Sequence, residues 1–291
     1  MIPGHNHLKA YEERLILLNS PVKTRKSYLT ILRKYLQYCN DQSIEDPFTD
    51  AAVKQYLLYR YSQKMDWKTI NMDYSAIKKY VVEVLQQVWN TPMFPRPKVN
   101  KELPNVISKE EVQKLISHVR NLKYKALFIF LYATGMRISE ALSVKVKDID
   151  SDRLQIKIDK GKGHKDRYVD VPMELIEILR QYYKIYRPTD RLFYGETTQD
   201  ALPERNIQHA MKRAKEKAGI IHDVSPHTLR HCYATHHMEH GTNIVYIQKM
   251  LGHTNLKTTS IYLHLCVNFQ SQSIIHPITT IQISLMGNSQ T

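Results

Sequence analysis

The segment TPMFPRPKVNKELPN, residues 91–105, holds four prolines and no apolar periodicity. Proline fixes φ, lacks an N–H and pushes its preceding residue out of the helical region, so neither a helix nor a paired strand continues through such a run. A chain interrupted here must build its core in two parts, and 291 residues supply enough length for a core in each. The expected division is a helical domain over residues 1–89, a linker over 90–106, a second domain over 107–267 and a tail over 268–291.

Ahead of the linker the apolar spacing is helical. Tyr28, Leu32, Tyr35, Leu36 and Cys39 recur at three- and four-residue steps, Val53, Tyr56, Leu57 and Tyr59 repeat the pattern, and a third run spans Asp66 to Gln87. Thr24 and Thr49 are expected N-caps. Between the apolar stripes lie basic residues, among them Arg33, Lys34, Lys54, Arg60, Lys68 and Lys78. They read as a solvated face, or as phosphate contacts if the second domain also binds DNA. The interleaved tyrosines read as core or amphipathic surface rather than as base-stacking platforms.

Beyond the linker, SKEE at Ser108 to Glu111 is a capping box that opens a helix through Val119. The apolar stretch ALFIFLYATG reads as a buried helix, and RLQIKID and DRYVDVP alternate like strands on either side of GKGHK, which suggests a hairpin. Helical patterns follow at Pro172–Tyr186, Arg205–Ala218 and Pro226–His240, then a short helix capped by Asn243, then one more from Leu256 to Leu265. There is no internal repeat, and the tail, rich in Ser, Gln, Thr and Ile, has no clear helical stripe.

Lysine and arginine total 42 against 28 acids, a formal charge of +14, which makes nucleic acid the leading partner. Cys39, Cys232 and Cys266 are too widely spaced for a CxxC site and too few for a disulfide framework. With no signal-peptide pattern and no membrane-length apolar run, the expectation is a soluble cytoplasmic protein of a prokaryote.

Reactive side chains recur at spacings that call for explanation. In SPHTLRHCYATH, His227 and Arg230 share a helical face just after Pro226, where first-turn N–H groups favour an anion. LGHTNLKTTSIYLH puts His253 at the end of one helix and Tyr262 on the next, so that imidazole and phenol are placed to bracket one oxygen. In ATGMRISEAL, Arg137 enters a helix after Gly135, with Glu140 one turn on and placed to grip the guanidinium by a bidentate contact. Lys162 stands between Gly161 and Gly163 at the hairpin tip.

These strings, together with KGKGHKDRYVDVP, resemble the tyrosine recombinase or phage-integrase family, and more closely its compact Xer-like and integron-type members. The motifs run in family order over residues 131–264. The resemblance implies a mainly α fold: a helical core-binding, SAM-like domain and a mixed α/β catalytic domain of the DNA breaking-rejoining type with a small sheet, the pair closing on duplex DNA as a C-shaped clamp. It implies that Arg137 and Arg230 grip the scissile phosphate, that Lys162 protonates the departing 5′ oxygen, and that His227 acts in proton transfer with the tyrosine. His253 then bonds a phosphate oxygen and Tyr262 forms a 3′-phosphotyrosyl bond. Four protomers on paired sites exchange strands through a Holliday junction, achieving integration, excision or resolution, with no metal and no cofactor. Two departures stand out. The tail lacks the amphipathic helix that the family commonly sends into a neighbour, and no extra N-terminal arm-binding domain is evident.

Three other readings remain open. His227, His231, His236, His237 and His240 cluster as zinc ligands do, though without a cysteine pair or HExxH; His231 and His237 read instead as packing or surface residues. The chain also suits a DNA-binding regulator without chemistry, or a type IB topoisomerase that relaxes one strand.

Overall fold

A computed structural model of the chain describes residues 5–91, 93, 103–158, 166–197, 200–253 and 255–264. The hairpin tip with Lys162, most of the proline-rich segment and the tail lie outside the described residues. The chain divides into two compact units, Met1–Lys101 and Glu102–Thr291.

The first unit is built from α1 (His5–Leu17), α2 (Val22–Asp41), α3 (Asp50–Ser62) and α4 (Trp67–Glu83). Its core is rich in tyrosine, with Tyr11, Tyr35, Tyr56, Tyr74 and Tyr80 all buried. Such rings contribute large apolar areas, but each hydroxyl needs a partner away from water. Tyr11 donates to the Ala76 carbonyl at 2.8 Å, Tyr35 to that of Pro47, and Tyr74 accepts from Trp89 Nε1 at 2.9 Å. Thr49 caps α3 as expected, accepting from the Ala52 N–H. Thr24 caps nothing: α2 begins at Val22, with Pro21 in the capping position, because proline's φ suits a helix entry and its missing N–H goes unused there. Arg60, read as part of the basic face, is largely covered and paired with buried Asp73 at 2.7 Å.

In the second unit, the Ser108–Glu111 capping box opens α5 (Lys109–Ser117), with both reciprocal bonds formed. Asn121 caps α6 (Leu122–Thr134), which is buried at every position from Lys125 on and so forms the centre of the unit. It ends at Gly135, whose φ of 60° lies in the left-handed region. A side chain there would meet the Tyr233 ring at 2.4 Å, so glycine satisfies both the helix stop and the close packing.

After α7 (Ile138–Ala141) comes a three-stranded antiparallel sheet, β1 (Ile149–Asp150), β2 (Gln155–Ile158) and β3 (Arg167–Asp170), in the order 1-2-3. The expected hairpin strands pair with Ile156 opposite Val169 and Ile158 opposite Arg167, and β1 adds an edge that alternation did not reveal. Four longer helices follow: α8 (Met173–Tyr186), α9 (Glu204–Ala218), α10 (Pro226–Glu239) and α11 (Ile244–Leu251). The last expected helix is shorter than its apolar pattern suggests. It is α only over α12 (Leu256–Thr259), then tightens to 3-10 geometry over Ser260–His264.

The helix α10 is apolar on two sides. Leu229 and Cys232 enter the main core, whereas Tyr233, Ala234 and Met238 join a smaller cluster with α11 and Tyr262. A helix wedged between two cores holds its first two turns in one place, and those turns carry His227, Arg230 and His231. The fold is therefore mainly α with a small sheet.

Candidate active site

Arg137 is the N-cap of α7, two residues after the glycine stop of α6. Glu140, in the first turn of α7, accepts from the Arg137 backbone N–H at 2.9 Å and from Arg137 Nη1 at 2.9 Å. The sequence suggested a bidentate grip on Arg137. The two-pronged contact belongs instead to Arg167 on β3, whose Nη1 and Nη2 reach Glu140 Oε1 and Oε2 at 3.1 and 2.9 Å. Burial works to raise the Glu140 pKa, but hydrogen bonds and charge from Arg167 and Arg137 win and hold it at about 2.

Arg230 is buried, 2 % exposed. Its Nη1 donates to the Gly135 carbonyl at 2.7 Å, and its Nη2 donates to the Leu251 carbonyl at 2.8 Å and lies 2.9 Å from His253 Nε2. A guanidinium only donates, so His253 Nε2 accepts, and its Nδ1 carries the hydrogen toward Thr259 Oγ1 at 2.9 Å. Burial, then the charge of Arg137, lowers Arg230 to about 10, still cationic at neutral pH. Burial and the charge of Arg230 lower His253 to about 4, which fixes it as a neutral acceptor. In the free protein, then, His253 Nε2 faces Arg230.

His253 owes its place to Gly252, the left-handed cap of α11, with φ 63°. A Cβ on Gly252 would lie 2.8 Å from Arg167 Cζ, so the Arg167 guanidinium rests on this glycine while it grips Glu140. Arg167 thereby ties β3, α7 and the turn before His253 together. Sequence reading passed over it. The available signal was its position two residues from buried Val169, on the same face of the strand, where a charge requires a partner.

Tyr262 lies in the final 3-10 turn and is 1 % exposed. Its hydroxyl meets His231 Nδ1 at 2.9 Å. His231, read as a packing or surface residue, is half-buried, and its ring bonds the tyrosine. His227, expected to serve the tyrosine, is exposed and stands edge-on to the His231 ring, centroids 4.6 Å apart. Both imidazoles lie one helical step apart on α10, and that spacing was the overlooked signal. Burial, then His227 and Arg230, lowers His231 to about 4, and burial followed by the same kind of cationic field lowers His227. Burial raises the Tyr262 phenol, and the charges of Arg230 and Arg137 oppose that rise.

Neither His236 nor His240 meets a metal-like ligand set. His236 bridges the Tyr132 hydroxyl and the Ile107 carbonyl, and His240 lies 2.6 Å from Lys109 Nζ. Among the described residues no three His, Cys, Asp or Glu side chains converge as metal ligands. No described helix is long and apolar enough to cross a membrane.

One carboxylate, Glu140, thus faces three guanidiniums, those of Arg137, Arg167 and Arg230, whose net positive field suits a phosphate, beside a phenol bonded to a neutral imidazole. Such a site on a helical unit with a small sheet defines a protein for phosphoryl chemistry on a polyanion. The chain belongs to the phage integrase family of tyrosine recombinases. The model for that family matches residues 105–268, and the model described as "Phage integrase, N-terminal SAM-like domain" matches residues 8–91. It is similar to a putative integrase/recombinase, y4qK, of Sinorhizobium fredii (strain NBRC 101917 / NGR234), with 32 % identity over 88 % of this chain and 83 % of that protein. It is also similar to the tyrosine recombinase XerA of Thermococcus kodakarensis (strain ATCC BAA-918 / JCM 12380 / KOD1), with 31 % identity over 89 % and 91 %. Among solved structures, a XerA recombinase crystal structure matches at TM-score 0.52 and 26 % identity, covering 90 % of this chain and 94 % of that one. The fold alone also matches XerH bound to its palindromic difH substrate after cleavage, at TM-score 0.68 and 22 % identity over 86 % and 78 %.

Proposed function

We propose that this protein is a site-specific recombinase that cuts and rejoins duplex DNA through a 3′-phosphotyrosyl intermediate at Tyr262. The observation that carries the reading is the Tyr262 hydroxyl, bonded to an imidazole at 2.9 Å and lying in the field of Arg137 and Arg230. A phenol attacks a diester only when its proton is taken and the phosphate's charge is offset, and this site has groups for both.

In this reading Arg137 and Arg230 hold the non-bridging oxygens, and Glu140 orients Arg137. His253 turns from Arg230 to a phosphate oxygen once DNA arrives. His227, exposed on the first turn of α10 and edge-on to His231, belongs to the proton-transfer pair. Lys162, on the hairpin between β2 and β3, protonates the 5′ oxygen. Because Tyr262 is 1 % exposed, its turn shifts when the phosphate docks. The ester keeps the energy of the broken diester, so a 5′ hydroxyl reverses the step, without ATP, metal or other cofactor. Four protomers on paired sites carry the exchange through a Holliday junction in the cytoplasm, as integration, excision or resolution.

The test is to incubate the protein with fragmented genomic DNA, isolate covalent protein–DNA adducts under denaturing conditions, and map both the attached residue and the DNA end. A 3′ linkage at Tyr262, lost in Tyr262→Phe with DNA retention intact, is the expected result. Absence of any adduct from the wild-type protein, with DNA still bound, overturns it in favour of a regulator.

A further inference from the structure

We propose that His231 is the proton acceptor for Tyr262, a further catalytic residue beyond the six reactive positions carried over from the family. The inference rests on the reading of Tyr262 as nucleophile.

Four observations converge on this ring. Its Nδ1 is 2.9 Å from the hydroxyl oxygen that must lose a proton, and the His227 ring packs edge-on against that of His231, centroids 4.6 Å apart. It sits on α10 next to Arg230, so the group that takes the proton and the group that neutralises the phosphate move as one rigid piece. Burial, His227 and Arg230 lower it to about 4, leaving the ring neutral and able to accept at physiological pH. Finally, among the described residues the charged and titratable groups about it, His227 and Arg230 on α10, Tyr262 on the last described turn, and His253 after α11, include no carboxylate that would hold it permanently protonated.

An imidazole of such low basicity is a poor acceptor in the free protein, and that makes it responsive to substrate. A phosphate docked on Arg230 and Arg137 brings negative charge where only positive charge stood, which raises the proton affinity of His231 as attack begins. As the bond from Tyr262 Oη to phosphorus forms, the phenolic O–H bond breaks and its proton passes to His231 Nδ1. The P–O5′ bond breaks and the departing oxygen takes a proton from the general acid, the role proposed for Lys162. In the return step the 5′ hydroxyl attacks phosphorus and gives its proton back to the general acid, the bond from phosphorus to Tyr262 Oη breaks, and His231 returns its proton to the phenolate.

The decisive comparison is between His231→Ala and His231→Asn. An asparagine amide occupies roughly the place of Nδ1 and can bond the phenol, but it does not take up a proton near neutral pH. Adduct formation is followed in single turnover on a DNA fragment that the wild-type protein cleaves, with DNA retention and thermal melting measured alongside. Both variants are expected to form adduct at least about 100-fold more slowly, the usual scale for a lost general base. Retention should be unchanged, and added imidazole should speed His231→Ala. If His231→Ala does not melt cooperatively, His231→Asn alone carries the test. Asparagine at the wild-type rate would mean that the bond merely orients the tyrosine and would overturn the proposal, as would alanine at that rate. No adduct from the wild-type protein, or an adduct that survives Tyr262→Phe, overturns the reading of Tyr262 itself. Wild-type cleavage that persists in both His231 variants removes only His231.

Discussion

Arg167 and Glu140 form a two-pronged ion pair, Nη1 to Oε1 at 3.1 Å and Nη2 to Oε2 at 2.9 Å, between a strand of the small sheet and the helix turn that Arg137 caps. The carboxylate side chain is 9 % exposed and the guanidinium 16 %. Removing one partner of a buried pair leaves the other desolvated and uncompensated, at about 3–5 kcal/mol. Arg167→Met should therefore lower denaturant stability by that order. It should also move the Glu140 pKa up from about 2, since Arg167 supplies the leading opposition to burial. The unfolded carboxyl titrates alike in both proteins, so a raised folded pKa shows as a smaller further loss of stability on acidification, a flatter acid limb in the variant. An unchanged acid limb would show that Arg137 alone suffices to hold the carboxylate.

Acid should weaken the fold in two stages. Burial, aided by neighbouring cations, lowers His231, His236 and His253 to about 4 in the folded chain, against about 6.5 for a free imidazole. Between those values the unfolded chain binds protons that the folded chain does not. The histidine contribution is thus complete above about pH 6.5 and is lost as pH falls toward 4. Glu140, at about 2, extends the loss below the ordinary carboxylate range. Urea midpoints measured from pH 7.5 to 4 should fall steadily, and a flat profile over that interval contradicts the assignment of neutral buried imidazoles.

Much of the local structure was legible because its causes are local. Ser108 and Glu111 are three residues apart and cap one another wherever the chain goes, and Val169 alternates with exposed neighbours on a strand. His227 and Arg230 were legible for the same reason, since three-residue spacing on a helix sets a shared face. Arg167 was missed because its partner is 27 residues away, reached only through the register that sets it opposite Ile158. The bond of His231 to Tyr262 was not legible because it joins residues 31 apart, the tyrosine brought back by a 3-10 turn that apolar spacing did not distinguish from helix. Thr24 looked like a cap because its residue type favours one, but Pro21 started the helix earlier.

Gly135 offers a stability test that leaves every reactive side chain in place. Its φ is 60°, and an added Cβ would lie 2.4 Å from Tyr233 Cδ1, in a ring with no exposure to yield into. The left-handed conformation costs an L-residue about 1–2 kcal/mol, and overpacking adds about 1–3. Gly135→Ala should melt roughly 5–15 °C lower than wild type. Because Gly135 also supplies the carbonyl that Arg230 bonds at 2.7 Å, adduct formation should fall even at temperatures where the variant is folded. Full activity in the folded variant would mean that the carbonyl of residue 135 stays within reach of Arg230 despite the added Cβ.

Two arginines of the first unit look alike in the sequence and should behave oppositely. Arg33 is exposed on α2, with Lys34 beside it, and is open to a DNA phosphate. Arg60 has a side chain only 14 % exposed and donates to Asp73, itself 3 % exposed, at 2.7 Å. A free surface cation that neutralises one phosphate contributes about 0.9 to the slope of log K against log salt. Arg33→Ala should therefore weaken DNA binding, reduce that slope by about 1 and leave melting unchanged. Arg60→Ala should leave the slope unchanged but strand the Asp73 carboxylate, costing about 3–5 kcal/mol of stability. Salt titrations and melting curves on the two variants separate these effects. The same salt slope lost from both would assign Arg60 to the DNA and its pairing with Asp73 to the unbound protein alone.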